Sequence, residues 1–233
     1  MRVLLPLPKL DGGMSVEEAL AKRRSIKHLK FKFFLDKPMS VKQLGQLLWA
    51  AQGINDVERG FRTAPSAGRS YPLKLYVFIG DKSVKRNKEE YVPAGIYIYE
   101  PLIHALALIE KGDHREKLAE GIITGYNKKL VVSAPVSIAV FANYEKMKYK
   151  GENGVRYVIL EVGHMAQNVY LQAVSLGMGT LAIGAFHKEL VKKAAKAEPE
   201  EDPIYILPVG LCSETHTLSL EELRAYYRVQ REK

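Results

Sequence analysis

The stretch from Val155 to Leu176 carries helical periodicity with few breakers, and it predicts the longest and most buried helix of the chain. Strand patterns lie on both sides of it. Leu73–Ile79 alternates in part and is rich in strand formers, Val136–Phe141 is an almost unbroken apolar run, and Leu181–Ala185 and Ile204–Val209 supply further strands. Helices precede and interrupt these strands irregularly, which argues for an α+β fold and against a doubly wound parallel sheet. No repeat, low-complexity tract or linker breaks the chain, so residues 1–233 read as one domain.

Local signals place the remaining elements. Ser15 with Glu18 three residues on marks a helix start, and that helix runs to about Lys22. Ser40 and Gln43 repeat the pattern before a helix with Leu44, Leu47, Leu48 and Ala51 on one face, ended by Gly53. Tyr91–Tyr99 reads as a short hairpin around Ala94-Gly95, and the charged residues after Gly80-Asp81 read as loop. His114–Glu120 and Lys188–Lys196 are expected to be helical, the second ended by an acidic loop over Glu198–Pro203. Asn143–Asn153, polar and Lys-rich, is the candidate mobile loop.

Bulk properties narrow the function. Hydrophobic residues make up 47% of the chain and charged residues 26%, the balance of a soluble globular protein. No apolar run reaches the roughly 20 residues of a bilayer span, and the opening Val3-Leu4-Leu5-Pro6-Leu7 is too short for a signal-peptide core. A cytoplasmic protein with no membrane role is the expectation. Cys212 is the sole cysteine, so no internal disulfide forms, and its place at the end of an apolar run suits a buried spectator thiol. The net charge of +9 suits nucleic acid or anionic cofactors. The lysines are scattered among glutamates with no basic stripe, so nucleic acid is not the expected partner. No Gly-x-Gly-x-x-Gly follows a first strand, no His-Glu-x-x-His or metal-spaced histidine pair occurs, and no Gly-x-Ser-x-Gly elbow is present. His164 reads as a satisfied core histidine.

Two short runs carry chemistry. Arg23-Arg24-Ser25-Ile26-Lys27 sets three cations and a hydroxyl at the end of a helix, a composition suited to a phosphate dianion. In an extended segment Arg23, Ser25 and Lys27 share a face, and Arg24 points the other way as a secondary contact. Ala64-Pro65-Ser66-Ala67-Gly68 is a bend of small residues before a strand, suited to a flat ring lying against bare backbone. Alone, the first reads as a solvated cationic face and the second as a plain turn. A phosphorylated flat cofactor, flavin mononucleotide (FMN), needs both.

The wider text around both runs resembles the nitroreductase family of flavin-dependent oxidoreductases, and within it the branch related to thiazole/oxazole-forming (azoline) dehydrogenases. The resembling stretches are residues 23–27, LGQLLWAAQG at 44–53, RTAPSAGRSYP at 62–72, AGIYIYEP at 94–101, LEVGHMAQNVYLQA at 160–173, LGMGTLAIGAF at 176–186, and Pro208-Val209-Gly210. The resemblance implies a mixed, mostly antiparallel sheet flanked by helices in an intertwined homodimer. It implies FMN at the subunit interface and NAD(P)H as electron donor. It assigns the phosphate and ribityl contacts to Arg23, Ser25 and Lys27, and lays Pro65, Ser66, Ala67 and Gly68 along the ring from the partner subunit. Ser66 would then hydrogen-bond the ring edge. Backbone N–H groups of Ile183, Gly184 and Ala185 face the N5 and O4 region of the flavin. Three family features depart. Gly68 and Arg69 stand where members often carry Asn, which removes an amide-to-ring contact, Ala185 replaces an acidic residue, and the late phosphate-binding cation is missing from Glu214–Ser219, with Arg224 the first positive charge after it.

The function implied is hydride transfer from NAD(P)H, or another donor, to a small-molecule electron acceptor such as a nitroaromatic or quinone. One alternative is oxidation of a modified peptide's azoline rings, with Lys148 and Tyr149 as the candidate catalytic pair. Another is a non-enzymatic flavin-binding protein. Trp49, Leu44, Leu47 and Leu48 are candidates for core or dimer contact.

Overall fold

Alternation along the strands decides how the layers stack. In Leu73–Ile79, the side chains of Leu75, Val77 and Ile79 enter one apolar cluster, and Tyr76 and Phe78 enter another. A strand buried on both faces calls for a helical layer on each side of its sheet. The computed structural model, which describes residues 1–26, 37–212 and 216–232, has that arrangement.

Its helices are α1 (Val16–Lys22), α2 (Val41–Gln52), α3 (Arg115–Glu120), α4 (Gly125–Ser133), α5 (Asn153–Ser175), α6 (Lys188–Ala195) and α7 (Leu220–Arg231). Its strands are β1 (Arg2–Leu4), β2 (Met39–Ser40), β3 (Ile54–Asp56), β4 (Phe61–Arg62), β5 (Leu73–Ile79), β6 (Val84–Lys85), β7 (Gly95–Glu100), β8 (Ala105–Lys111), β9 (Val136–Asn143), β10 (Met178–Thr180) and β11 (Glu201–Leu211). The large sheet runs β1-β8-β7-β5-β9-β11-β10, with every pairing antiparallel. Parallel pairing occurs between β2 and β6 and where Ser25 bridges Thr180 at the β10 edge. The fold is thus α+β, with a mostly antiparallel sheet between helices.

One face of the sheet packs against α2 and α5 through Leu44, Leu47, Leu48, Val158, Val162 and Val169. The other packs against α3, α4 and α6 through Leu118, Leu130, Val131 and Val191. Leu44, Leu47 and Leu48 are fully buried within their own chain, which removes them as dimer-contact candidates.

Ser15 and Ser40 cap α1 and α2 as their spacing predicts, Ser40 with a complete capping box, and Gly53 closes α2. Several expectations are corrected. The turn of the hairpin lies at residues 101–104, between β7 and β8, and not at Ala94-Gly95, because β7 begins at Gly95. Tyr144–Lys150 form a 3-10 helix with Met147 buried, so the stretch 143–153 is not plain loop. Leu181–Ala185 is not a strand: Ile183 alone bridges Ile206, and the short strand precedes it at β10. β11 starts at Glu201 and takes in part of the acidic stretch, since buried Glu201 finds partners in half-buried Lys74 and buried Tyr76. β6 interrupts the charged stretch read as loop.

α5 is the longest helix but not the most buried. Ten of its 23 residues are buried, against eight of 12 in α2. His164 lies on the exposed side of α5, not in the core. Among the described residues no helix is long and apolar enough to cross a membrane.

His104 ties the N-terminal segment to β7. Its Nδ1 lies 2.8 Å from the Tyr99 hydroxyl and its Nε2 lies 3.0 Å from the Pro6 carbonyl oxygen. The carbonyl can only accept, so Nε2 carries the proton and Nδ1 accepts from Tyr99. Burial pushes the His104 pKa down. The unfolded chain therefore binds the extra proton first, and stability falls as pH drops below about 6.5. Urea midpoints at two pH values, one above and one below that point, should show a smaller acid loss for His104→Gln than for the unaltered protein.

Candidate functional site

The chain leaves α1 in an extended conformation at Arg23, with φ −58° and ψ 125°. Ser25 then pairs with Thr180, and the Ile26 N–H donates to the Thr180 carbonyl at 3.2 Å. Gly179 permits this approach: a Cβ there would lie 1.7 Å from Ile26 Cδ1 and 2.7 Å from Cys212 Sγ. Extended backbone turns alternate side chains apart. Arg23 stacks its guanidinium 5.4 Å from the centre of the Tyr170 ring, and Ser25 Oγ lies 3.0 Å from the Tyr170 hydroxyl. Arg24 faces the opposite way, with Nη1 donating to its neighbour's carbonyl at 2.8 Å and Nη2 2.6 Å from His216 Nε2. Lys27 lies outside the described residues. Cys212 is half-buried and its thiol is pushed up to about 11 by burial, so it carries no thiolate near neutral pH.

Tyr170 also accepts the Ala182 N–H at 2.8 Å, which brings residues 182–185 beside Arg23 and Ser25. Ile183 is committed to the sheet, donating to Ile206 at 2.9 Å and accepting from it at 3.0 Å. Its N–H is therefore not offered outward with the other two. Gly184 and Ala185 are exposed, and their N–H groups have no partner among the described residues. A Cβ on Gly184 would meet only the Tyr205 ring, at an ordinary 3.4 Å, so packing within the chain does not require glycine there.

Tyr170 escapes sequence reading because it lies in a helix whose periodicity suggests only core. Its phenol is the one visible signal, a polar tip on an apolar face. A Tyr170→Phe change strands the Ala182 N–H and frees Ser25. It should lower stability by about 1–3 kcal/mol, the cost of an unmet buried donor, in urea unfolding.

The second run folds elsewhere. Ala67–Arg69 make a single 3-10 turn in which Gly68 has φ +64°. A Cβ on Gly68 would lie 2.2 Å from the Tyr149 hydroxyl, which is itself 2.7 Å from Ser70 Oγ. Pro65 and Gly68 are exposed, and Ala67 is half-buried. Ser66 accepts the Tyr71 N–H at 2.9 Å, so its oxygen is engaged within the turn. Of the Lys148-Tyr149 pair, only Tyr149 reaches the turn. Lys148 is 72% exposed and pairs with Glu145.

Helix α5 separates the two clusters. Gln52, which holds Arg62 ahead of the turn, meets it at Glu161, and Ser25 meets it at Tyr170. Nine residues of α-helix correspond to about 14 Å of rise and half a turn of rotation. One copy of the chain gathers Arg23, Ser25, Gly184 and Ala185 at the β10 edge. It holds Pro65–Gly68 and Tyr149 apart from them.

Comparison with known proteins identifies the family and the fold. The Nitroreductase family profile matches residues 20–211. A Methanocaldococcus jannaschii protein, provisionally named a nitroreductase, is 36% identical over 207 residues, covering 88% of this chain and 95% of its own length. A Ralstonia eutropha crystal structure with the same provisional name superposes with a TM-score of 0.74 at 27% identity, covering 91% of this chain and 90% of the other. The Escherichia coli microcin synthetase McbBCD complex, solved with truncated pro-MccB17 bound, contains a chain of the same fold. That match has a TM-score of 0.67 at 20% identity and covers 91% of this chain and 79% of the other. The chain belongs to the nitroreductase family, whose members are oxidoreductases.

Proposed function

We propose that the protein is a homodimeric FMN-dependent oxidoreductase whose flavin site is shared between two copies of the chain. The observation that carries this reading is that, among the described residues, no hydrogen bond or ring contact joins Arg23 and Ser25 to the Pro65–Gly68 turn. Each is half of a flavin site. A second copy supplies the missing half.

The residues fit the group. Arg23 offers a guanidinium already held in place by Tyr170, and Ser25 offers a hydroxyl beside it, a donor set suited to a phosphate and ribityl chain. Lys27 belongs to the same proposed set, and Arg24 is a secondary contact through its backbone. Gly184 and Ala185 present unpartnered N–H groups to a ring edge. From the second copy, Pro65, Ala67 and Gly68 lie along the ring, with the Tyr149 hydroxyl packed against Gly68. When bound, FMN supplies the redox chemistry: hydride from NAD(P)H or another donor, then hydride to a nitroaromatic, quinone or similar small acceptor. The protein's own part is to bind, orient and exclude water.

Dimerisation has its own support. Val155, Ile159 and Leu160 stand 57%, 49% and 49% exposed along α5, too much apolar surface for one helix face to leave in water. Helix α7 has a complete capping box yet no buried residue, although Leu220, Tyr226, Tyr227 and Val229 lie on it. Short helices in water draw their stability from packing, and among the described residues none of α7 is buried. An intertwined, obligate interface above roughly 2,000 Å² accounts for both surfaces.

The purified protein should be yellow and release FMN, not FAD, on denaturation. It should oxidise NADH or NADPH with a quinone as acceptor. A colourless protein that takes up no added FMN contradicts the proposal, and a yellow protein without turnover makes it a flavin-binding protein only.

The Tyr149 hydroxyl against the ring-side turn keeps the azoline dehydrogenase as a second reading. Turnover of a peptide thiazoline that is lost in Tyr149→Phe, with quinone reduction intact, would favour it.

A further inference from the structure

One charged group lies out of water where the proposed chemistry does not use it. Glu161 on α5 is 2% exposed, and burial pushes its carboxyl pKa up. Four groups on α2, β4, the 65–68 turn and the 144–150 helix face it: the Gln52 amide, the Arg62 guanidinium, the Ser66 hydroxyl and the Lys146 ammonium. Each favours the ionised form, and burial outweighs them together.

The contacts radiate from this carboxylate to the turn. Gln52, 1% exposed, donates Nε2 to Glu161 Oε1 at 3.3 Å and accepts from Arg62 Nη1 at 3.1 Å. The Arg62 guanidinium lies 4.4 Å from the centre of the Tyr71 ring, and its backbone N–H donates to the Tyr71 hydroxyl at 3.0 Å. The route from Glu161 through Gln52 and Arg62 thus ends on Tyr71, whose N–H donates to Ser66 Oγ at 2.9 Å and closes the turn. Packing alone does not account for a carboxylate here, since an apolar side chain of similar volume avoids the desolvation cost.

We propose that Glu161 is a positioning residue for the Pro65–Gly68 turn: its carboxylate holds the Gln52 amide, Gln52 holds Arg62, and Arg62 holds Tyr71, whose N–H closes the turn on Ser66 in the shape that covers the flavin ring. This rests on the shared-flavin reading above. The ionised form does the holding. A protonated carboxyl gives up an acceptor and becomes a donor facing the Gln52 amide, which already donates to it.

Stability and turn order then respond in opposite directions. The folded pKa lies above the unfolded one, so the fold carries a cost above the folded pKa that is relieved as pH falls through it. The acid that relieves the fold loosens the turn.

Glu161→Gln is neutral at every pH and keeps the shape. Its Tm near pH 8 should equal or exceed that of the unaltered protein, while its Kd for FMN rises about tenfold, the effect of one hydrogen bond to a charged group. FMN binding to the unaltered protein should weaken from about pH 8 to pH 5 more steeply than binding to Glu161→Gln, which retains only the titration of the FMN phosphate near about pH 6. A lower Tm together with a lower affinity and an unchanged pH profile means a merely structural carboxylate and overturns the proposal. A second measurement needs no flavin. Trypsin should cut after exposed Arg69 faster in flavin-free Glu161→Gln than in the flavin-free parent, and equal rates overturn the proposal. If the parent takes up no FMN, the flavin reading fails while the cleavage rates still decide the link from Glu161 to the turn.

Discussion

Alanine in place of Arg23 is expected to weaken FMN binding by about 1.5–3 kcal/mol, roughly ten- to 150-fold in Kd. The charge-assisted bond to the phosphate is lost, and the other groups at the β10 edge do not replace it: Ser25 is neutral and Arg24 is turned towards His216. Stacking on Tyr170 also means that Arg23 loses little side-chain freedom when it binds, so most of the bond's strength reaches the measured affinity. Arg24→Ala should cost clearly less. Fluorescence titration of both variants with FMN checks the pair, and equal losses would contradict the alternation that sets these side chains apart.

Gly68→Trp should remove FMN binding at any site that uses the substituted turn. The glycine has φ +64°, a region costing a side-chain-bearing residue roughly 1–2 kcal/mol, and the space its Cβ would enter is held by Tyr149. An indole there covers the surface on which the ring is proposed to lie. Circular dichroism separates this from unfolding: the secondary structure should remain, because the turn is exposed and outside the main sheet, while bound flavin is lost.

What could be read in the sequence was local. Ser15 and Ser40 announce their helices because a cap and its partner lie three residues apart. The split between Arg23 with Ser25 and Arg24 follows from the two-residue period of extended chain, which no tertiary contact had to supply. Leu181–Ala185 misled because an apolar run signals burial before it signals pairing. These residues are half-buried to buried up to Ile183, yet only Ile183 pairs with a strand.

The organising residues of the candidate site were not legible. Tyr170 meets Ser25 across 145 positions of sequence, and Glu161 meets Gln52 across 109. Such partners are chosen by the packing of α5 between α2 and the sheet, not by any neighbouring residue. Helix α7 carries a cap signal at Ser219 and Glu222, but nothing nearby in the chain says what its apolar residues will meet.

The central claim, one flavin held by two chains, is tested most directly by pairing Arg23→Ala with Gly68→Trp. The two variants, carrying different affinity tags, are co-expressed and the mixed dimer is isolated through both tags. Each homodimer should be nearly colourless. The mixed dimer should hold about half of the flavin per dimer of the unaltered protein, because one of two symmetric sites then draws Arg23 from one chain and Gly68 from the other. Equal colour loss in the mixed dimer, or a monomeric mass with FMN fully bound, would contradict the account.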